Sequence, residues 1–231
     1  MTLLGVITAR AGSKRIPGKN IKDFFGKPVI SYAINACLSS GIFDTLMVST
    51  DDEIIAKIAR KSGAEVPFLR SSRTSNDFSS TFEVLEEVIN EYEKLGKSYD
   101  DICCVYPCSP FLKPETLAKA YEKFLSEDFD SLVPVVRYSF PVQRAYILDE
   151  NGYIKFREPE FSAARSQDLE PVFHDAGMFY FSKKADLLKN KKLTGARATY
   201  LELDELEVQD IDNLSDWKMA ELKYKVLNSE Q

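Results

Sequence analysis

Five positive charges and no negative charge fall within the first 22 residues of a 231-residue chain whose formal net charge is -6. They are Arg10, Lys14, Arg15, Lys19 and Lys22. The segment that carries them contains glycine and begins where a short apolar run ends. Backbone N–H groups and fixed cations at the end of a first strand suit a compact polyanion. The sequence therefore predicts a nucleoside triphosphate site, with a solvated basic turn as the alternative.

The glycines of this segment, Gly12 and Gly18, have neither the Walker A spacing nor that of a dinucleotide fingerprint. A triphosphate must therefore be held in another way. Arg10 and Lys19 could neutralise it, while the Ser13 hydroxyl and backbone amides supply neutral donors.

Two carboxylates near the carboxyl end suggest a metal. Asp210 and Asp212 share one face if their segment is extended. Mg²⁺ typically takes one or two protein carboxylates together with phosphate oxygens and water, which this pair would provide. The alternative is a solvated acidic run with a helix cap near Asn213 or Ser215.

Composition excludes several other classes of protein. An acidic pI of 5.1 argues against nucleic acid as a partner. No apolar run reaches membrane-spanning length or resembles a signal peptide, so we expect a cytoplasmic protein. Zinc is disfavoured because Cys103 and Cys104 point to opposite faces of a strand and His174 is the only histidine.

Strand and helix signals alternate over most of the chain, which predicts one domain, 1–231, with a mostly parallel sheet in a three-layer α/β/α sandwich. A β-rich insertion with a hairpin at Asp149–Gly152 interrupts it at about 138–173. The expected strands are 3–8, 45–49, 65–69, 101–106, 130–136 and 176–182; the expected helices are 28–39, 52–62, 79–94, 114–126 and 213–227.

The segment from Arg10 to Asn20 resembles the signature of the CMP-sugar synthetases, cytidylyltransferases that activate nonulosonic acids. Segments at 48–51, 68–70, 77–81, 106–110 and 210–212 resemble further motifs of that family in the same order. Three others, at 140–144, 165–170 and 174–177, are most similar to the branch that acts on pseudaminic acid. The resemblance spans most of the chain and implies a Rossmann-like nucleotidyltransferase.

The resemblance implies roles for individual residues. Arg10, Lys19, Asp210 and Asp212 would be catalytic, with the two aspartates on Mg²⁺. The nucleotide would be bound by Arg10, Ala11, Gly12, Ser13, Lys14, Lys19, Asn20, Arg70, Ser80 and Thr81. The sugar would be bound by Tyr106, Gln143, Arg144, Arg165, Gln167, His174 and Asp175.

Structural alternatives remain for some of these positions. Asp51 would more simply cap a helix than bind a second metal, and Ser79 or Ser80 could equally be an N-cap. Tyr106 replaces the glutamine of the sialic acid synthetases and could pack in the core instead of contacting sugar. His174 could make a structural hydrogen bond.

The resemblance therefore implies an enzyme that joins CTP to a nine-carbon 2-keto sugar acid and releases pyrophosphate, with pseudaminic acid as the leading acceptor. N-acetylneuraminic or legionaminic acid is the alternative acceptor. A sugar-1-phosphate nucleotidylyltransferase and a non-catalytic nucleotide-binding regulator are the alternatives from other classes. The resemblance and the insertion also predict a homodimer.

Overall fold

The computed structural model describes residues 1–229. Its central sheet contains seven strands, and two short two-stranded sheets lie outside it. In chain order the strands are β1 (Leu3–Thr8), β2 (Asp23–Phe24), β3 (Lys27–Pro28), β4 (Thr45–Ser49), β5 (Asp101–Val105), β6 (Ser131–Arg137), β7 (Tyr146–Leu148), β8 (Ile154–Phe156), β9 (Phe173–Asp175), β10 (Phe179–Lys183) and β11 (Ala198–Glu202).

The central sheet has the order β11-β6-β10-β5-β1-β4, and β9 pairs with β6. β1 is parallel to both β4 and β5, and β11 is parallel to β6. β10 runs antiparallel to β5 and β6, and β9 runs antiparallel to β6. Because β1, β4 and β5 are parallel, their carboxyl ends meet at one edge of the sheet, where the segment from Arg10 begins.

The helices lie close to their predicted bounds. They are α1 (Ile30–Ser40), α2 (Glu53–Lys61), α3 (Thr81–Lys94), α4 (Pro114–Ser126), α5 (Lys184–Asn190) and α6 (Leu214–Ser229). Pro28 was expected to open the first helix but pairs in β3, so α1 begins two residues later. Asp52 caps α2 because its carboxylate accepts the N–H groups of Ile54 and Ile55.

Each face of the sheet buries its own apolar cluster, as a three-layer sandwich requires. On β1, Leu3 and Ile7 belong to the cluster that contains α1 and α4 side chains, whereas Leu4 and Val6 belong to the cluster formed with α3. This alternation of side chains along one strand confirms the predicted fold class, an α/β/α nucleotidyltransferase fold with a mostly parallel sheet.

The interval 138–173 contains the expected hairpin, formed by β7 and β8, and single helical turns. The predicted strand at 65–69 is absent: only Glu65 forms an isolated parallel bridge, with Met47, and after it the Arg70 N–H donates to the Thr50 carbonyl oxygen (2.8 Å), just past the end of β4. In the part of the chain that the structure describes, no helix is both long and apolar enough to cross a membrane.

Candidate active site

A cavity of 450 Å³ opens at the carboxyl ends of β1 and β5, and we call it the loop cavity. Arg10, Lys14, Arg15 and Lys19 line it from the basic segment, and Asp210 and Asp212 line it from the segment after β11. Tyr106, Cys108 and Gly177 form part of its wall. Two clusters of opposite charge, remote in sequence, therefore meet in one cleft.

Hydrogen bonds to Asn20 and Asp51 hold the basic segment in place. Asn20 is buried, and its amide Nδ2 donates to the carbonyl oxygen of Arg10 (2.9 Å) while its Oδ1 accepts from the thiol of Cys108 (3.4 Å). The backbone N–H of Ala11 donates to Asp51 Oδ1 (2.9 Å). The expectation that Asp51 caps a helix is thus wrong. Because β1 and β4 are parallel neighbours, its carboxylate reaches the segment that follows β1.

Asp77, which lies in the motif-like segment 77–81 but was given no predicted role, pairs with two of the cations. Asp77 Oδ1 lies 2.5 Å from Arg10 Nη1, and Asp77 Oδ2 lies 2.5 Å from Lys14 Nζ. Hydrogen bonds from Lys14 and Arg10 hold the pKa of Asp77 below its usual value. Its place in a polar loop before α3 gave no sequence signal of this contact.

The acidic pair is held by the same basic segment. Lys19 Nζ donates to the carbonyl oxygen of Ile211 (2.7 Å), and Arg15 Nη2 donates to Asp212 Oδ1 (2.8 Å). Ile211 is buried, so its two neighbours point outward together. Burial, and then repulsion from Asp212, raises the pKa of Asp210. Such a carboxylate gains from a nearby cation.

Within residues 1–229 no three His, Cys, Asp or Glu side chains form a metal-binding group. Mg²⁺ does not need such a cage, because it keeps several waters and takes phosphate oxygens from its substrate. Asp210 and Asp212 supply two carboxylates, and the pKa of Asp210 is raised. Cations that could hold phosphate groups line the same cleft. This set of groups fits Mg²⁺.

Four residues predicted to bind nucleotide, Ala11, Arg70, Ser80 and Thr81, lie outside the lining of the loop cavity. Arg70 is buried and donates from Nε to Ser49 Oγ (3.0 Å) and from Nη2 to the Ser49 carbonyl oxygen (2.6 Å). Burial lowers its pKa, which nearby Asp51 and Glu87 oppose. Arg70 therefore braces the end of β4.

Ser80 and Thr81 begin α3. Ser80 forms a capping box with Glu83: its Oγ accepts the Glu83 N–H (3.3 Å), and its own N–H donates to the Glu83 carboxylate (2.7 Å). Ser80 was predicted either to bind nucleotide or to be an N-cap, and in the structure it is the N-cap of α3. Thr81 Oγ1 lies 3.4 Å from the Tyr106 hydroxyl. Tyr106 lines the loop cavity and Thr81 does not.

Tyr106 is partly buried and packs edge-on against Tyr180, with ring centroids 5.4 Å apart. Burial raises the pKa of Tyr106. The Tyr180 hydroxyl donates to the Asp175 carboxylate (2.8 Å to Oδ2), and the Gly177 N–H donates to Asp175 Oδ1 (2.8 Å). Tyr106 thus presents a phenol to the loop cavity, and Asp175 is fixed beside it.

The remaining predicted sugar-binding residues lie in two other cavities and on the exposed surface. His174 and Asp175 line a cavity of 300 Å³ that we call the α6 cavity, which shares Asp210 with the loop cavity. Gln143 and Gln167 line a third cavity, of 480 Å³, beside the insertion. Arg165 is exposed and pairs with Asp168, with Nε 2.7 Å from Oδ2, and Arg144 is exposed.

Comparison with known proteins agrees with this geometry. A family model described as Cytidylyltransferase matches residues 4–216. A pseudaminic acid cytidylyltransferase of Campylobacter jejuni subsp. jejuni serotype O:2 is 40% identical over 98% of this chain and 97% of its own. A CMP-N,N'-diacetyllegionaminic acid synthase of Legionella pneumophila is 34% identical over 100% of this chain and 99% of its own.

Among solved structures, a CMP:2-keto-3-deoxy-manno-octonic acid synthetase complexed with CTP superposes with a TM-score of 0.70 at 16% identity, and the match covers 100% of both chains. At that identity the likeness shows a shared fold.

The fold, with its cationic segment and acidic pair in one cleft, defines a nucleotidyltransferase that uses CTP. The chain belongs to the cytidylyltransferase family, as its motifs predicted.

Proposed function

We propose that this chain transfers CMP from CTP to the anomeric hydroxyl of a nine-carbon 2-keto sugar acid, with pseudaminic acid as its acceptor. One observation carries the proposal: four cations and three carboxylates, those of Asp77, Asp210 and Asp212, face a single cavity of 450 Å³. That volume lies in the range of small-ligand sites, about 300–1,000 Å³.

In the proposed reaction the acceptor hydroxyl oxygen attacks the α-phosphorus of CTP. A new P–O bond forms, the bond to the β-phosphate oxygen breaks, pyrophosphate leaves and the hydroxyl proton is released. Arg10, Lys14 and Lys19 would neutralise the triphosphate and the departing pyrophosphate. Fixed cations in a partly dry cleft stabilise charge at this stage.

Asp210 and Asp212 would hold Mg²⁺ in the same cleft. These carboxylates would hold an ion whose Lewis acidity stabilises the negative charge that develops on the phosphate groups. Lys19 and Arg15 would keep the two carboxylates in place through their contacts with Ile211 and Asp212. The basic segment would thus act on both the phosphates and the metal ligands.

The choice of acceptor is supported by the relative at 40% identity, whose name specifies pseudaminic acid, and by the phenol of Tyr106 at the cavity wall. An aromatic face with one hydroxyl suits a deoxy or acylamido group of such an acid. N-acetylneuraminic and legionaminic acids are the alternative acceptors, the latter favoured by the relative at 34% identity.

We also propose that the protein acts as a homodimer in the cytoplasm. The β7–β8 hairpin exposes Tyr146, Leu148, Tyr153 and Ile154, an apolar surface that a second copy would cover. The four cysteines are free thiols, which is the state that a reducing compartment maintains.

Pyrophosphate release tests the reaction. Purified protein with CTP and Mg²⁺ should release pyrophosphate fastest with pseudaminic acid, in a panel that also includes N-acetylneuraminic acid, legionaminic acid and a sugar 1-phosphate. Nucleotide binding without release for any acceptor would instead indicate a regulator.

The metal assignment is tested by Asp210→Asn and Asp212→Asn. Each should lower kcat by about a hundredfold or more, because a charge-stabilising group in such a site contributes several kcal/mol. Asp216→Asn is no suitable control, since its carboxylate accepts the Asp212 N–H. Asp186→Asn, at the first turn of α5, is suitable. Unchanged turnover in both variants would contradict the assignment.

A further inference from the structure

The α6 cavity directly adjoins the proposed reaction centre. It shares Asp210 with the loop cavity, and the Asp175–Gly177 turn separates the two. Its volume of 300 Å³ is at the lower end of ligand sites, about 300–1,000 Å³. A ligand there would lie beside the metal-binding pair without displacing the nucleotide.

One cation lines this cavity, and it comes from α6. Lys223 is partly buried, and its Nζ donates to the carbonyl oxygens of Glu205 (2.8 Å) and Val208 (2.7 Å). An ammonium group has three N–H donors, so one remains. Among residues 1–229 its ammonium forms no ion pair within 4.0 Å.

Three carboxylates also line this cavity, those of Asp175, Glu205 and Asp210, but none contacts the Lys223 ammonium, which is the group that an incoming anion would meet. Burial lowers the pKa of its ammonium, and the carboxylates of Glu205 and Asp204 oppose that shift only from a distance. A partly desolvated cation that contacts carbonyl dipoles and no carboxylate gains from a charge-assisted hydrogen bond.

We propose that Lys223 binds the carboxylate of the acceptor sugar acid in the α6 cavity. This inference rests on the proposed function. In a 2-keto sugar acid the carboxylate carbon is bonded to the anomeric carbon, so the carboxylate must lie within a few ångströms of the attacking hydroxyl. Lys223 lines a cavity that touches Asp210, as this geometry requires.

The two arginines predicted to bind the sugar are placed less well for this role. Arg165 is exposed and forms both of its guanidinium contacts with Asp168 (2.7 and 3.1 Å). Arg144 is exposed and lines neither the loop cavity nor the α6 cavity. Lys223 was missed because on the sequence it is one lysine among several on an amphipathic helix.

Lys223→Gln separates a carboxylate contact from a structural one, because it removes the charge but keeps N–H donors for the two carbonyl groups. We expect KM for the sugar acid to rise about ten- to a hundredfold, the range for one hydrogen bond to a charged group. KM for CTP should stay within about twofold, and Lys223→Arg should restore part of the acid affinity. Lys218→Gln, an exposed lysine on the same helix, is the matched control.

A second comparison makes the test specific to the carboxylate. The methyl amide of the sugar acid should bind the wild type as weakly as the acid binds the glutamine variant, and the two losses should not add. Additive losses, or equal changes in KM for acid and CTP, would overturn the assignment of Lys223 while the proposed function stands. Absence of turnover by the wild type with every acid would overturn the proposed function itself.

Discussion

At the scale of single residues, the proposed metal site depends on the close approach of the Gly177 backbone to the Asp210 carboxylate. Gly177 has a φ of +64°, and a Cβ built there would lie 3.7 Å from the Asp210 carboxyl carbon. A side chain at this position would both strain the backbone and cover one side of the carboxylate. Glycine therefore leaves that side of Asp210 open to water, metal or substrate.

Gly177→Ala should raise the Mg²⁺ concentration for half-maximal activity about tenfold, because its methyl group desolvates a proposed ligand. Gly152→Ala is the matched control: Gly152 also has positive φ, at +83°, but no atom lies within 4 Å of a built Cβ. Metal titrations of pyrophosphate release measure the effect. Equal shifts in the two variants would attribute it to backbone strain alone.

Asp77 forms ion pairs with Arg10 and Lys14, two of the cations that are expected to bind the triphosphate. Asp77→Asn should therefore lower KM for CTP by about threefold at low salt, with the difference fading as salt screens these exposed charges. Glu91→Gln removes another exposed ion pair, to Lys94 on α3, and should leave KM unchanged. A higher KM in Asp77→Asn would mean that this carboxylate orients Arg10 for the nucleotide instead.

At the scale of elements, α3 anchors the loop that carries Asp77. Glu87 is buried and accepts hydrogen bonds from the Ser71 N–H (2.8 Å), the Ser71 hydroxyl (2.6 Å) and the Thr74 hydroxyl (2.8 Å). Burial alone would raise the pKa of Glu87, but these hydrogen bonds hold it below its usual value. The ionised carboxylate therefore ties the loop to the helix.

This contact should make stability depend on pH. A carboxyl group with a depressed pKa in the folded protein contributes its full stability above the unfolded pKa and loses it as pH falls through the folded value. Glu87→Gln should cost about 1–3 kcal/mol at pH 7, and the difference should shrink below about pH 4. Thermal unfolding across that range measures it. Glu86→Gln is the control, because the Glu86 carboxylate lies 4.0 Å from Arg73. The stability difference between this variant and the wild type should depend little on pH.

Elements with strong local signals were predictable from sequence, and long-range contacts were not. The period of α3 and the glycine-terminated α1 depend on nearby residues, so their bounds were close. The segment 65–69 is mostly apolar but forms only one isolated bridge, between Glu65 and Met47, and β10 joins the sheet antiparallel, which no local pattern encodes. For the proposed site, the spacing of Asp210 and Asp212 together with the family resemblance indicated the acidic pair, whereas the contacts of Asp77 and the proposed role of Lys223 required the fold.

At the scale of the whole molecule, the charge of the site opposes the charge of the chain. The protein has a net charge of -6, yet its basic segment concentrates cations at one end of the sheet. The acidic remainder does not attract polyanions in general, so the cleft selects a compact one. The β7–β8 hairpin lies outside the central sheet and exposes apolar side chains that line neither the loop cavity nor the α6 cavity.

The hairpin should therefore set the oligomeric state. Ile154 is 68% exposed on β8, and Ile154→Lys should convert a dimer of the 26.2 kDa chain to monomer, because a dry interface cannot hold an unpaired ammonium. Ile54→Lys is the matched control, since Ile54 is 62% exposed on α2, away from the hairpin. Light scattering after size-exclusion chromatography measures the mass. A monomeric wild type, or dimers that persist in Ile154→Lys, would show that this surface does not join two copies.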